Sequence, residues 1–453
     1  MIDLFERYTR NRRVLILGFG REGKSTCRFI EQHFSKLPFA IADKNSMALA
    51  GFNFSGTTPQ LISGESYLEA ISNYDVIIKS PGIRLGDSIS LLNNRILLSQ
   101  TGLFLEKYGH QTIGITGTKG KSTTSSLIHH ILNKSGRKSF LVGNIGVPPF
   151  EIIDAIDSET HVVFELSANQ LQFVNHSPHI SVLLNLFEEH LDFFGSTHDY
   201  FHAKWNVTAY QSSDDFFICN LANDKIAQLH DNKRTKAGLL AIVPENAARG
   251  SGSFEKATGD ENFETSWNGH LQGEHNLMNI AAATQACKLA GIDDAKIAVA
   301  IATFKPLEHR LEYVGNFCGV DFFNDSISTI PQSTIEALKT VRNTHTLILG
   351  GFDRGLDYSG LYEFLKFSEV ERIIFTGPAG KRMMGDFASI KRIDQELIYV
   401  ESFSAMHHHL SNTKPGRSCL LSPAASSYNE FRDFAERGRA FKKIAENLKD
   451  FCH

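Results

Sequence analysis

The chain has 453 residues and a formal net charge of −4, with 42% hydrophobic and 21% charged residues, an ordinary globular composition whose length suits about three domains of roughly 150 residues. Nothing in that balance suggests a basic nucleic-acid face or a polybasic membrane patch. No apolar run approaches the roughly 20 residues of a membrane span, and the charged stretch Met1–Arg7 lacks a signal-peptide core.

A cytoplasmic location follows as an expectation. Cys27, Cys219, Cys287, Cys318, Cys419 and Cys452 are scattered without a C-x-x-C pair, which favours reduced, free thiols. His407-His408-His409 lies inside the chain and reads as a solvated helix face.

In chain order, Arg12-Arg13-Val14-Leu15-Ile16-Leu17 reads as a buried parallel strand. Gly18-Phe19-Gly20-Arg21-Glu22-Gly23 follows and opens a helix, fitting the dinucleotide fingerprint. Asp43, closing the strand-like Ala40-Ile41-Ala42, lies where a ribose-binding acid is expected. Such a loop holds any diphosphate, so a nicotinamide or flavin cofactor and a uridine diphosphate both suit it.

Thr112-Ile113-Gly114-Ile115-Thr116 runs into Gly117-Thr118-Lys119-Gly120-Lys121-Ser122-Thr123 and a second helix. Glycines there let backbone N–H groups face phosphate oxygens, and the helix dipole adds positive potential. Lys121 supplies charge for the terminal phosphates, and the Ser122 or Thr123 hydroxyl can ligate Mg²⁺. The general phosphate-loop pattern has an earlier glycine where this chain has Ile115, so the loop is a variant.

Glu165 tops the strand-like His161-Val162-Val163-Phe164, and His190 follows the apolar Val182-Leu183-Leu184 run. Adjacent parallel strands would bring both to the edge that carries the phosphate loop, where a carboxylate and an imidazole suit Mg²⁺ bridging phosphates. Glu188, Glu189 and Asp192 read equally well as a solvated loop. Lys204 sits on a helix just beyond. Its ammonium would repel a metal, whereas a lysine carbamate would ligate one.

Thr346-Leu347-Ile348-Leu349-Gly350-Gly351 starts a later α/β unit. The expected fold class is therefore three α/β domains. An N-terminal Rossmann-like domain spans 1–105, a central P-loop ATPase-like parallel sheet 106–305, and a C-terminal Rossmann-like domain 306–453. Pro306 breaks the helical stretch at the second junction. The polar stretch Glu245–Asn268 reads as loops and short strands.

With these residues in hand, the chain resembles the Mur ligases over essentially its full length, most closely the MurD branch of UDP-N-acetylmuramoyl-L-alanine:glutamate ligases. The phosphate loop resembles G-T-N-G-K-[ST]-[ST], with Lys119 in place of the usual Asn. Gly143-Asn144-Ile145-Gly146 matches G-N-I-G, and Glu165-Leu166-Ser167 with Gln170-Leu171 is similar to E-L-S-S-x-Q-L. Asn185 with His190-Leu191-Asp192 fits N-x-x-x-D-H-[LM]-D, with Glu189 replacing the first Asp. Further on stand Gly273-Glu274-His275-Asn276-Leu277-Met278-Asn279, His309-Arg310-Leu311-Glu312 and Asn324-Asp325-Ser326. They match G-x-H-N-x-x-N, H-R-x-E and N-D-S. Leu421-Ser422-Pro423-Ala424-Ala425-Ser426-Ser427, with Phe431, Phe434 and Glu436-Arg437-Gly438, is similar to the family's C-terminal pattern. Single motifs are modest signals; their number and order are specific.

The resemblance implies that UDP-N-acetylmuramoyl-L-alanine, ATP and D-glutamate are the substrates of an ADP-forming ligase of cell-wall synthesis, acting through an acyl phosphate. Gly18, Phe19, Gly20, Arg21, Asp43, Ser80, Pro81, Gly82, Asn144, Ser167 and Gln170 would face the UDP substrate. Gly117 to Thr123, Asn276, Arg310 and Asp325 would face ATP. Ser122 and Glu165 would hold one Mg²⁺, and His190 with an N6-carboxylated Lys204 a second. Lys121, His190, Lys204 and Asn144 would carry the catalysis, in a monomer.

Thr329, Arg354, Ser427 and Phe434 would hold the amino acid. The departures cluster there: Ile327 stands where the branch has a lysine, and Arg354 takes the place of a second one. Arginine keeps the charge but changes its geometry. A form that adds L-glutamate is the alternative, and a nucleotide-dependent oxidoreductase built on the first glycine loop is the remote one. Folylpolyglutamate synthase shares the phosphate loop and the lysine but lacks the first domain. Decay to a non-catalytic protein is disfavoured by the intact Lys121, Glu165, His190 and Lys204.

Overall fold

The computed structural model describes residues 1–56, 58–188, 191–242, 274–305, 308–341 and 343–448. Their contacts form two compact units, one ending at Phe304 and one beginning at Lys305. The stretch Glu245–Asn268 lies outside the described residues.

The first unit holds two sheets. The strands β1 (Val14–Leu17), β2 (Phe39–Asp43), β3 (Gln60–Ser63), β4 (Val76–Lys79) and β5 (Ile96–Leu98) pair in the order β3-β2-β1-β4-β5. The strands β6 (Thr112–Thr116), β7 (Ser139–Gly143), β8 (His161–Glu165), β9 (Ile180–Leu183), β10 (Phe216–Asn220) and β11 (Gly238–Ile242) follow the order β11-β10-β9-β6-β8-β7. Every pairing in both sheets is parallel. Helices cover parallel sheets on both faces, and β1, β4, β6 and β9 are buried along their whole length. That is why they appear in the sequence as unbroken apolar runs.

One core joins these two sheets. Phe29, Phe104, Phe150 and Phe164 all belong to it, and the Phe29 and Phe150 rings lie 4.7 Å apart. The junction expected near residue 105 falls within the helix Gln100–Tyr108, whose Leu103, Phe104 and Leu105 are buried in that core.

The second unit holds β12 (Glu312–Phe317), β13 (Val320–Asn324), β14 (Thr344–Gly350), β15 (Arg372–Thr376), β16 (Glu396–Val400) and β17 (Ser418–Leu421) in the order β12-β13-β17-β14-β15-β16. Only the β12–β13 hairpin is antiparallel. Alternate residues feed cores on opposite faces, Leu347, Ile373 and Leu420 on one and Ile348, Ile374 and Leu421 on the other. The expected α/β fold class is the observed one, with three largely parallel sheets.

Cys27, Cys219, Cys287 and Cys419 are buried free thiols. Cys318 corrects the free-thiol expectation, because it is disulfide-bonded. It sits in the β12–β13 turn with its sulfur 3.4 Å from the Leu448 carbonyl, a proximity that scattered spacing does not reveal. Among the described residues no helix is long and apolar enough to cross a membrane.

Gly114 lets the phosphate-loop strand pack tightly. A Cβ there would lie 2.3 Å from Pro178 Cγ and 3.0 Å from Leu166 Cδ1. Gly114→Ala is expected to cost about 1–3 kcal/mol through overpacking. Gly385→Ala, in an exposed helical position with open space around it, should stabilise by about 0.5–1 kcal/mol. Urea unfolding of the two variants checks both signs; a neutral Gly114→Ala contradicts the packing argument.

Candidate active site

The first glycine loop turns at the end of β1 because Gly18 has φ +89°, a conformation that side-chain-bearing residues rarely adopt. The helix Arg21–His33 packs close behind, since a Cβ on Gly23 would lie 2.1 Å from the Gly18 carbonyl oxygen. Asp43 fastens this loop to the end of β2. Its carboxylate accepts from the Phe19 N–H at 2.7 Å and from the Asn45 N–H at 2.8 Å. The Ser80 hydroxyl donates to the Gly18 carbonyl at 2.8 Å and brings the Ser80-Pro81-Gly82 segment alongside. Gly18, Phe19, Gly20, Asp43 and Ser80 to Gly82 therefore gather at one carboxyl edge. Arg21 points away, and its guanidinium donates to the carbonyls of Gly143 and Gly146.

The phosphate loop leaves β6 at Gly117 (φ +151°) and enters the helix Lys121–Lys134 through Gly120 (φ +82°). Asn185, just past β9, pins it: the Lys119 N–H donates to Asn185 Oδ1 at 2.7 Å, and Asn185 Nδ2 donates to the Lys119 carbonyl at 3.1 Å. Lys121 Nζ donates to the Gly117 and Thr118 carbonyls, each at 2.9 Å. Lys204, almost wholly buried, donates to the Gly117 carbonyl at 2.7 Å and lies over the Tyr200 ring. The Tyr200 hydroxyl reaches Thr118 Oγ1 at 3.4 Å.

Strand register places Glu165 opposite both Ile115 and Gly143. Its Oε1 accepts from Asn144 Nδ2 at 2.8 Å. The Ser167–Gln170 turn follows as a capping box. Ser122 is buried at the start of the phosphate-loop helix. Asn279 donates to Asn276 Oδ1 at 3.0 Å, and a Cβ on Gly120 would meet its Oδ1 at 2.3 Å, so both asparagines lie beside the loop. Lys121, Ser122, Asn144, Glu165, Lys204 and Asn276 thus share one edge of the sheet. His190 lies outside the described residues, as do Glu189 and the side chain of Asp192.

The Glu165 Oε2 atom is buried and has no hydrogen-bond partner. A buried, unsatisfied carboxylate oxygen is costly, and a divalent cation beside a phosphate loop is a fitting partner for it. Among the described residues no group of three or more His, Cys, Asp or Glu is placed to hold an ion. Magnesium that shares phosphate oxygens needs only one or two protein ligands, so the residues present suit it.

In the second unit, the ends of β13, β14 and β17 converge. Asp325 is buried, accepts from the Leu311 N–H at 3.2 Å and the Ser422 hydroxyl at 2.8 Å, and burial pushes its carboxyl up to about 6. Arg310, in the same turn as Leu311, has a buried Nε without a partner. Arg437 donates to Ser326 Oγ and to the carbonyls of Ser326, Gly350 and Ala425, which locks the three strand ends together. Arg354 donates to the Thr329 carbonyl at 3.1 Å. Neighbouring Asp353 is held in a two-pronged pair by Arg382 and kept down to about 2. Ser427 is buried in the following turn, and the Phe434 carbonyl accepts from Ser326 Oγ at 2.8 Å.

The sequence argument left Asn185, Tyr200, Asn279 and Arg437 without site roles, although each touches a site element. Tyr200 carried a readable signal, since it precedes Lys204 by one helical turn. Asn185 carried none beyond its motif.

A family profile described as the Mur ligase middle domain matches residues 115–287. The chain is 32% identical over 445 residues, 95% of each protein, to the UDP-N-acetylmuramoylalanine–D-glutamate ligase of Listeria monocytogenes serotype 4b. It is also 32% identical to the enzyme of that name from Streptococcus agalactiae serotype III, over 97% of this chain and 98% of the relative. Among solved structures, the fold is shared with UDP-N-acetylmuramate–alanine ligase MurC of Thermotoga maritima (TM-score 0.55, 15% identity, 96% of this chain and 100% of the other). It is shared too with MurF ligase of the same organism in complex with ADP (TM-score 0.54, 17% identity, 97% and 95%). The chain belongs to the Mur ligase family, on the branch whose members are named UDP-N-acetylmuramoylalanine–D-glutamate ligases.

Proposed function

We propose that this chain joins D-glutamate to UDP-N-acetylmuramoyl-L-alanine with consumption of ATP. The observation that carries the reading is the shared edge of β6, β7, β8 and β9. A phosphate loop, a buried carboxylate with an open oxygen, an asparagine and a buried lysine meet there. Family membership replaces the oxidoreductase reading of the first glycine loop. Residues 1–105 would hold the UDP portion, 106–305 ATP, and 306–453 the amino acid, in a monomer.

In the first step an oxygen of the alanyl carboxylate attacks the γ-phosphorus, and the bond to the β-γ bridging oxygen breaks. The products are an acyl phosphate and ADP. In the second the glutamate amine attacks the acyl carbon, loses a proton, and expels phosphate from the tetrahedral intermediate. Phosphate oxygens carry the accumulating charge in both steps, so fixed cations and inward N–H groups should dominate the rate. Lys121 is the cation for the β- and γ-phosphates, and Asn144 lies beside the γ-phosphate. Asn276, Arg310 and Asp325 are the further residues assigned to ATP. When bound, Mg²⁺ supplies neutralisation of the phosphate charge. Ser122 and Glu165 would hold it at one site, and His190 with a carbamylated Lys204 would hold a second. A carbamate would replace the ammonium by oxygen donors at a position already buried against the phosphate loop.

For the amino acid, Thr329 and Arg354 form one pole, and Ser427 with the Phe434 backbone the other. Arg382 neutralises Asp353, which leaves Arg354 as the cation for a carboxylate. The names of the relatives favour D-glutamate; Ile327 and Arg354 are the residues on which an L-glutamate form would rest.

Phosphate release with ATP, Mg²⁺ and the UDP substrate should require D-glutamate and run at least about tenfold slower with L-glutamate. The reverse preference selects the alternative, and turnover with neither contradicts both. Glu165→Gln should lower kcat about 10²–10³-fold and raise the Mg²⁺ concentration for half-maximal rate; an unchanged Mg²⁺ dependence contradicts its assignment. Arg354→Met should raise the KM for glutamate at least about tenfold while the KM for ATP holds. Equal effects on both substrates contradict the assigned pole.

A further inference from the structure

The two residues that open the helix Arg21–His33 behave unlike the rest of the first glycine loop. Arg21 donates to the carbonyls of Gly143 and Gly146, the two ends of the segment that carries Asn144. Glu22 is buried, and its Oε1 accepts from Gln170 Nε2 at 2.9 Å. The Gln170 amide oxygen is occupied by the Ser167 N–H at 2.9 Å and the Ser167 hydroxyl at 3.0 Å. The amide nitrogen therefore has to find an acceptor, and Glu22 provides it. The helix is held against the second sheet along its length: Gln32 donates to Asp154 at 3.0 Å, and Phe29 packs on Phe150. Gln100 donates to the Glu22 carbonyl at 3.0 Å from the other side.

The segments 143–146 and 167–170 flank Glu165, and Asn144 bonds to it directly. We infer that Arg21 and Glu22 are positioning residues, a clasp through which the first glycine loop holds Asn144 and the Ser167–Gln170 turn in place around Glu165. This rests on the proposed ligase reading, and it gives Arg21 a role other than substrate contact. The charged groups facing Glu22 are Arg21 on its own helix and Lys79 at the end of β4. Burial pushes the Glu22 carboxyl up to about 7 and the Lys79 ammonium down to about 8. Glu22 thus holds its charge weakly, whereas its acceptor role toward Gln170 survives protonation.

Steady-state kinetics of the full chain with Arg21→Met, Arg21→Lys, Glu22→Leu and Glu22→Gln test this. Arg21→Met and Glu22→Leu should lower kcat about tenfold or more, because small displacements of aligned groups are costly. The KM for the UDP substrate should stay within about twofold. Arg21→Lys and Glu22→Gln, which keep a donor and an acceptor, should recover much of the rate. Hydrogen exchange without substrates gives an arm independent of turnover: the Asn144 and Leu171 amides should exchange at least about tenfold faster in Arg21→Met and Glu22→Leu. Unchanged exchange overturns the clasp even if the wild-type chain proves not to be this ligase. A tenfold rise in the KM for the UDP substrate at constant kcat overturns it in favour of a binding role for Arg21. Arg21 is exposed, so Arg21→Met remains informative if Glu22→Leu fails to fold.

Discussion

The backbone geometry of the glycine-rich loop after β6 sets the constraint from which the first unit is built. A loop can turn its N–H groups inward only where the chain tolerates positive φ, and Gly117 and Gly120 supply it at the end of β6. Once that loop is placed centrally in its sheet, whatever tops the neighbouring strands becomes the site. Glu165 arrives from β8, Asn144 from β7 and Asn185 from β9. Packing serves the same end. The small Gly114 lets Pro178 press on β6, and Gly120 leaves room for Asn279.

Charge is the second theme. Lys121 spends two hydrogen bonds on phosphate-loop carbonyls, which places positive charge where the proposed reaction accumulates negative charge. The second unit solves a similar problem differently. Arg437 is buried among the backbone carbonyls that join β13, β14 and β17, where it shapes the loops without being offered to a ligand. Arg382 pairs with Asp353 in two hydrogen bonds, so Asp353 is not left for the neighbouring Arg354.

Much of this was legible in the sequence where the signal is local. The buried strands β1 and β6 showed as apolar runs followed by glycines, and Glu165 could be placed at a strand top by its apolar approach. What escaped depended on side-chain direction or long-range proximity. Asp43 was placed correctly at the end of β2, but its carboxylate is tied to the Phe19 and Asn45 N–H groups, a contact its position alone does not disclose. Arg21 follows a diphosphate-type loop yet turns to Gly143 and Gly146, more than a hundred residues away. One core takes in Leu103, Phe104 and Leu105, because apolar content on the Gln100–Tyr108 helix does not say which sheets it will join. The disulfide at Cys318 is a long-range proximity, which cysteine spacing does not encode.

The central claim is that ATP activates a carboxylate carried by the UDP substrate. The most direct measurement uses UDP-N-acetylmuramoyl-L-alanine labelled with ¹⁸O in both carboxylate oxygens, with mass analysis of the phosphate released during turnover with glutamate. An acyl phosphate requires one labelled oxygen to pass from each carboxylate into phosphate. Unlabelled phosphate accompanying amide formation would contradict the account.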